Sequence, residues 1–376
     1  MNILHISKYY HPYIGGVESI CQYLVENRKS GDNVAVVCFT EQRDDIVDEV
    51  NGVRIYRVGT WVNISRQALS LSYRKVLKKA IKETRPDIIH FHWANPFPAA
   101  VLLSVIPKDV KLVIHWHMDI VNQKLLYALI KPVETAFLKR ADRIFVTSPI
   151  YRDHSLPLQP FLSKVDVVTN AINESRLILK EGDEEKIKSL KQHWGNKDIV
   201  FFVGRHTKVK GLNYLLEAEK SVSSDCVFLI AGEGPVTDEL KASCKSDRVH
   251  FLGKIPDDEL RQYLYAAKVF AFPSITKNEA FGVALAEAMY CHTPAVTFHI
   301  EGSGVNWVSL KDETGLEVEN SNAAEYAKAI DHLLTDEALY NRLADNGVKR
   351  VKENFLIKNM VDACYESYGK IMTTQG

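Results

Sequence analysis

Two carboxylates, Glu279 and Glu287, frame the stretch FPSITKNEAFGVALAEAM that runs from Phe272 to Met289. From Ala280 to Met289 every residue is apolar or small except Glu287. A helix that is apolar on all faces is a buried helix, and an unpaired buried carboxylate costs several kcal/mol. Glu287 therefore needs either a partner or a polar ligand. Glu279 lies about two helical turns earlier, where a loop meets the helix N-terminus. Two surface carboxylates on an amphipathic helix are the ordinary alternative, but the apolar neighbours favour the wall of a ligand site.

A second cluster is cationic. In GRHTKVKG, Arg205 and Lys210 flank the entry to a helix directly after a strand. A guanidinium fork and an ammonium beside a helix N-terminus suit a diphosphate; solvated turn charges are the plainer reading of either one alone. Gly15 and Gly16 precede another helix, where backbone N–H groups can approach an anion or simply form a tight loop. Histidines occur as i, i+2 pairs in DIIHFH (His90, His92) and KLVIHWH (His115, His117), which places each pair on one face of a strand end. Four histidines raise the question of a metal, yet structural zinc usually recruits cysteine or a closed set of four ligands. Polar groups at the carboxyl ends of parallel strands instead line the ligand crevice of an open α/β sheet, and His117 is the foremost candidate. No strand-end D-x-D pair is present to bridge Mg²⁺: Asp142, Asp153 and Asp166 are isolated, and Asp44–Asp45 sits in a loop. No metal and no cofactor are expected.

The elements that position these groups alternate. Asn2 to Ser7, Val34 to Phe39, Asp87 to His92, Lys111 to His117, Arg143 to Ser148 and Lys164 to Thr169 read as strands, with a helix from Val17 to about Lys29 after the first. The pattern restarts at Ile199 to Val203, with further strands at Cys226 to Ala231, Val249 to Leu252, Lys268 to Phe272 and Thr293 to Phe298. Strand, Gly-rich turn, helix and strand begin a doubly wound α/β unit, and a chain of 376 residues has room for two. The polar segment Lys180 to Lys197 marks the boundary. Residues 1–178 form an N-terminal domain and 179–358 a C-terminal one, and two such halves create an interdomain cleft of the kind that binds ligands.

Lys plus Arg and Asp plus Glu each number 47, so global charge offers nothing to nucleic acid. The balance is uneven along the chain: 22 basic against 17 acidic residues in 1–175, and 25 against 30 in the rest. Six scattered cysteines without C-x-x-C fit the reduced thiols of a cytoplasmic protein. No run approaches the roughly 20 apolar residues that span a bilayer, and the N-terminus has no apolar core of signal-peptide length. Ser65 to Arg85 reads as a basic amphipathic helix carrying Arg66, Arg74, Lys75, Lys78, Lys79, Lys82 and Arg85. Such a helix docks on anionic headgroups or forms a solvated charged face; a second cluster, Lys139, Arg140 and Arg143, favours peripheral contact with the inner membrane surface.

Taken together, GGVE (Gly15 to Glu18), HWHMDIVNQK (His115 to Lys124), VGRHTKVKG (Val203 to Gly211), AGEGP (Ala231 to Pro235), LGKIPDDEL (Leu252 to Leu260), EAFGVALAEA (Glu279 to Ala288) and ETGLEV (Glu313 to Val318) resemble the glycosyltransferase family 4 enzymes. These are retaining nucleotide-sugar transferases of the GT-B fold, two Rossmann-like domains facing each other across a cleft. The HWHMDIVNQK segment is similar to members that build bacterial O-antigen or capsule chains. The resemblance implies that Arg205 and Lys210 grip the donor diphosphate and stabilise the leaving nucleotide. It implies that Glu287 accepts from the ribose hydroxyls, and that Glu279 faces the hydroxyls of the transferred sugar near the N–H groups of Ala280, Phe281 and Gly282. By the same resemblance His117 stands near the reacting centre, Gly16 lets the N-terminal domain approach the diphosphate, and the segment Gly253 to Pro256, with Ile255, contacts the base through its backbone. It also implies a C-terminal helix, 359–376, packing back on the first domain, which would bind the acceptor.

The expected activity is retaining, metal-independent transfer of a hexose, foremost mannose from GDP-mannose, to a hydroxyl of a growing lipid-linked surface polysaccharide such as O-antigen. Partners are then the nucleotide-sugar donor and the lipid-linked saccharide acceptor, with no nucleic acid, at the cytoplasmic face of the membrane. Two departures from the family pattern stand out: His206–Thr207 after Arg205, where an apolar residue is commoner, and Glu301 before GSG. A nucleotide-sugar epimerase, a phosphorylase and a non-catalytic nucleotide-sugar-binding protein are the alternatives.

Overall fold

A computed structural model describes residues 1–13, 15–64, 67–120 and 124–373, with the side chains of residues 124–126 left aside. The chain divides into two units, Met1–Ala171 with Ile357–Gly376, and Ile172–Leu356.

In the first unit the apolar runs give β1 (Asn2–Ile6), β2 (Asn33–Thr40), β3 (Ile46–Val50), β4 (Val53–Gly59), β7 (Ile88–Trp93), β8 (Lys111–Trp116), β9 (Arg143–Val146) and β10 (Val165–Val167), with a separate hairpin of β5 (Val62–Ile64) and β6 (Gln67–Leu69). The main sheet has the order β10-β9-β8-β7-β1-β2-β4-β3, and only β3 runs antiparallel to its neighbour. Central strands read as continuous apolar runs because helices cover both faces; β7 is buried at all its positions. The direction of winding reverses between β1 and β7, the topological switch point where ligands of such sheets bind. The C-terminal helix Ile357–Thr373 belongs to this unit: Met360, Cys364, Tyr368 and Ile371 pack with Ile3, Ile20, Leu24, Val113 and Phe145.

The second unit is a parallel sheet of β11 (Asp198–Val203), β12 (Cys226–Ala231), β13 (Val249–Gly253), β14 (Val269–Phe272), β15 (Ala295–Phe298) and β16 (Gly315–Val318) in the order β13-β12-β11-β14-β15-β16. Its switch point falls between β11 and β14.

Three expectations are corrected. The domain boundary lies at 171/172 and again at 356/357, because Ile172 pairs with Leu356, donates its N–H to Phe355 O at 2.8 Å and packs in the core of the second unit. The polar segment 180–197 is no linker: it holds the helix Asp183–His193, and the buried Asp183 carboxylate accepts from Arg261 Nε at 2.5 Å and Gln262 Nε2 at 2.8 Å. The basic helix begins only at Tyr73 and ends at Thr84, since Gln67–Leu69 pairs as β6 with β5; Arg66 lies outside the described residues. The β3–β4 hairpin was missed, although Asn51–Gly52 at its tip, both at positive φ (51° and 72°), is the dipeptide that a type I′ turn demands.

Candidate active site

Two adjacent strands carry the cationic and acidic groups of the second unit to one sheet edge. After β11 come the exposed Arg205, a single 3-10 turn at Lys208–Lys210, and Gly211, which opens the helix Leu212–Glu219. Gly211 has φ +59°, and a Cβ there would lie 2.1 Å from Pro273 O, so only glycine lets the loop after β11 close on the loop after β14. Ile275 N donates to Val209 O at 3.0 Å across the same contact. The result is an ion pair between Lys210 Nζ and Glu279 Oε2, with both side chains partly exposed. Lys210 Nζ also stands 4.9 Å above the Phe272 ring. Glu279 is oriented by Ser274 Oγ at 3.3 Å, while its backbone carbonyl accepts from Ser303 Oγ at 2.5 Å. Arg205 has no hydrogen-bond or ion-pair partner among the described residues.

Ala280 and Phe281 are buried, and Gly282 (φ +87°) caps the helix Val283–Tyr290, whose first N–H groups face the same edge. Glu287 is 9% exposed and its side chain has no hydrogen bond among the described residues. Burial pushes its pKa up to about 7, opposed by the Arg176 guanidinium and reinforced by Asp257. Those two groups pair with each other at 3.1 Å. Glu287 thus has charged neighbours but no bonded partner. Ile255, half-buried, follows β13, where Gly253 O accepts from Gly232 N at 2.7 Å and ties that loop to the one after β12.

The two departures find physical reasons or none. His206 is fully buried, with Nδ1 2.9 Å from Thr237 Oγ1 and Nε2 3.3 Å from Ala231 O, so it braces the loop and points away from the exposed Arg205. Glu301 is exposed, and nothing in the structure explains it.

In the first unit, Gly15 caps the helix Gly16–Glu26 in extended conformation, and Gly16 is exposed with open space where a Cβ would stand. The Glu18 carboxylate already lies over this helix start, 2.3 Å from where a Gly15 Cβ would be, with its pKa raised by burial. His117 follows β8 and is buried. Burial lowers its pKa to about 3, so the ring is neutral. Its loop is anchored by Asp119, whose Oδ1 accepts from Trp116 Nε1 at 2.9 Å and Ser155 Oγ at 2.7 Å. Val121 to Gln123 of the HWHMDIVNQK segment lie outside the described residues.

The histidine pairs do share one face, and they are joined by two residues that sequence reasoning missed, His5 on β1 and Tyr368 on the C-terminal helix. In register, His5 pairs with His90 and His92 with His115. The triads His5–Cys21–His92 and His90–His92–His115 each bring one ligand atom per residue within 4.8 Å. Their donor set suits hydrogen bonding better than a metal: the ring nitrogens face one another in pairs, and burial holds the Cys21 thiol well above its usual pKa, hence protonated.

Comparison with known proteins bears on both units. Residues 183–350 match the family described as glycosyl transferases group 1, and residues 14–176 the family described as glycosyltransferase family 4. The D-rhamnosyltransferase WbpZ of Pseudomonas aeruginosa is 28% identical over 94% of this chain and 92% of its own length. The O-antigen chain mannosyltransferase C of Escherichia coli is 26% identical over the whole of both chains. Among solved structures, sucrose-phosphate synthase from Thermosynechococcus elongatus superposes with a TM-score of 0.79 at 20% identity over 99% of both chains. HepE of Anabaena, in complex with UDP and glucose, gives 0.78 at 18% over 98% of this chain and 99% of its own. At such identity the structural likeness is one of fold.

Proposed function

From the premise that this chain belongs to the family 4 glycosyltransferases, with two Rossmann-like domains of the GT-B type, we propose that it is a retaining, metal-independent hexosyltransferase. It moves mannose from GDP-mannose to a hydroxyl of a growing, lipid-linked polysaccharide of the O-antigen type. The name of the Escherichia coli relative supports the sugar and polysaccharide classes. The observation that carries the reaction is the Lys210–Glu279 pair at the switch-point edge, on the same loop as Arg205, which is exposed and has no partner among the described residues.

In that reading, an arriving diphosphate takes Lys210 away from Glu279. Arg205 and Lys210 then neutralise the diphosphate, and Glu279 is released to accept from the hydroxyls of the transferred hexose. Negative charge grows on the diphosphate as the C1–O bond breaks, so cations and a helix N-terminus already aimed there lower the barrier. The acceptor oxygen attacks C1 on the same face, and its proton passes to the departing phosphate oxygen. The products are the nucleoside diphosphate and the lengthened saccharide. Two fixed cations supply the charge that a divalent metal supplies in D-x-D enzymes. Glu287 holds the ribose, Ile255 and its neighbours the base, and His117 the sugar.

No helix among the described residues is long and apolar enough to cross a membrane. We place the enzyme in the cytoplasm, peripheral to the membrane that carries its acceptor. Arg74, Lys75, Lys78, Lys79 and Lys82 are exposed on the helix Tyr73–Thr84, and just before it Trp61, Val62, Ile64 and Leu71 are 53%, 51%, 55% and 81% exposed. Apolar side chains beside a cationic face suit an anionic headgroup layer. Co-sedimentation with phosphatidylglycerol vesicles, lost on Trp61→Ser with Lys78→Glu, is the expected result; equal binding to phosphatidylcholine contradicts it.

The activity is tested by thermal shift across UDP-, GDP-, ADP- and dTDP-sugars, followed by donor turnover with and without a lipid-linked saccharide. GDP-mannose should give the largest shift, and turnover should require the acceptor. Turnover of the donor alone would instead indicate an epimerase or hydrolase.

A further inference from the structure

Five buried histidines in one unit are expensive, because a sheet face filled with valine or leucine would bury no polar nitrogen. They form two lines. In the first, His5 Nδ1 lies 3.3 Å from His92 Nε2, and His92 Nδ1 lies 3.0 Å from His117 Nε2. The ring centroids are 5.6 and 5.3 Å apart, with planes 26° and 8° from parallel. Each separation is close to the N···N distance plus one ring diameter, so these contacts run edge to edge as in-plane hydrogen bonds. In the second line, Tyr368 OH lies 2.5 Å from His90 Nδ1, and His90 Nε2 lies 3.3 Å from His115 Nδ1. The lines stack face to face: His90 lies 4.7 Å from His5 and 4.8 Å from His92, and His115 lies 4.3 Å from His117.

We propose that His92, backed by His5, is the positioning residue for His117, coupling its tautomer to that of the whole line and turning its Nδ1 edge toward the substrate. The proposal rests on the reading that His117 contacts the transferred sugar. Burial keeps all the rings of the first line neutral. A neutral imidazole has one N–H and one lone pair. Each contact in the line consumes one of each, so the three rings share a single polarity and no ring can turn over alone. Nε2 of His117 is committed to His92, and its face is committed to His115. Nδ1 is the polar edge left for a ligand, and it makes no hydrogen bond among the described residues. No proton is transferred overall; the line sets geometry and tautomer, which is where a misplacement near 1 Å can cost about 10²-fold in rate.

The test combines steady-state transfer kinetics with ¹H–¹⁵N correlation of the histidine rings in the full chain. His92→Asn places an amide near the Nδ1 position, whereas His92→Gln reaches the Nε2 position and His92→Leu offers neither. We expect His92→Leu and His92→Gln to lower kcat by about 10- to 100-fold with donor KM nearly unchanged, and His92→Asn to restore most of the rate. The His117, His92 and His5 rings should show the same tautomer in the wild type, and the His117 ring should lose that match in His92→Gln. Adding His92→Leu to His117→Ala should cost nothing further. Equal loss in the Asn and Gln variants, an unaltered His117 ring spectrum, or multiplicative losses in the double variant would each overturn the proposal. Wild-type kcat in His117→Ala alone would remove the premise about His117 itself, a separate failure. If His92→Leu does not fold, the Asn and Gln pair decides the matter.

Discussion

Glu287 was legible from its neighbours: a single carboxylate in an apolar helix is buried and lacks a bonded partner among the described residues. Its folded pKa of about 7 stands above the ordinary value of 4.5. Protonated Glu287 therefore stabilises the fold below about 4.5, and that contribution is lost as pH rises through 7. Glu287→Gln should accordingly gain up to about 3 kcal/mol at pH 8 and almost nothing at pH 4, read by urea denaturation; a gain independent of pH would be wrong for this account. The same variant removes the charged acceptor proposed for the ribose, so GDP affinity should fall by about 10-fold or more. In the wild type, affinity should weaken as pH drops below 7, when the carboxylate takes up its proton. The Lys210–Glu279 pair was not legible. Their separation in sequence says nothing of a contact that depends on two loops meeting at Gly211 and Pro273 O.

At the scale of elements, that loop contact makes Gly211→Ala a sharp probe. A Cβ 2.1 Å from a backbone oxygen, at φ +59°, forces the turn after β11 to move. A loss of roughly 2 kcal/mol or more in stability is expected, with a larger loss of transfer than of global fold because Lys210 rides on the same turn. Equal activity in the alanine variant would show that the turn does not position Lys210. The strands of both sheets were readable because parallel strands buried on both faces are nearly continuous apolar runs. The elements misread were those with weaker patterns. Leu69 continues the helical spacing of the Tyr73–Thr84 helix but belongs to β6, since pairing with Val62 overrides periodicity. Half-exposed β3 (IVDEV) carries two adjacent charges that break the period-2 pattern, so it reads as loop without the Asn51–Gly52 turn signal.

At the scale of the molecule, the chain leaves its first unit at Ala171 and returns at Ile357, so Tyr368 is available to the histidine network from the far end of the sequence. No local pattern announces that contact, and His5 is invisible without the register that sets it beside His90. The network ties the first unit to pH. His5, His90, His92, His115 and His117 face one another, Tyr368 and Cys21, and burial lowers the pKa of every one of the five. Their folded values lie below the unfolded 6.5, so the stability they contribute is complete above that pH and drains away as pH falls below it. Each histidine adds up to about 1.4 kcal/mol per pH unit. Urea midpoints followed by tryptophan fluorescence should drop steeply from pH 7.5 to 5.5; equal midpoints would mean the rings are not held neutral.

In the proposed mechanism, fixed cations do what a metal does elsewhere. The direct measurement is acceptor-dependent transfer from GDP-mannose in excess EDTA, comparing the wild type with Lys210→Ala. We expect full wild-type activity in EDTA, with the anomeric configuration retained in the product. Lys210→Ala should reduce kcat by about 10²- to 10³-fold. Activity abolished by EDTA and restored by Mg²⁺, or undiminished transfer by Lys210→Ala, would contradict it.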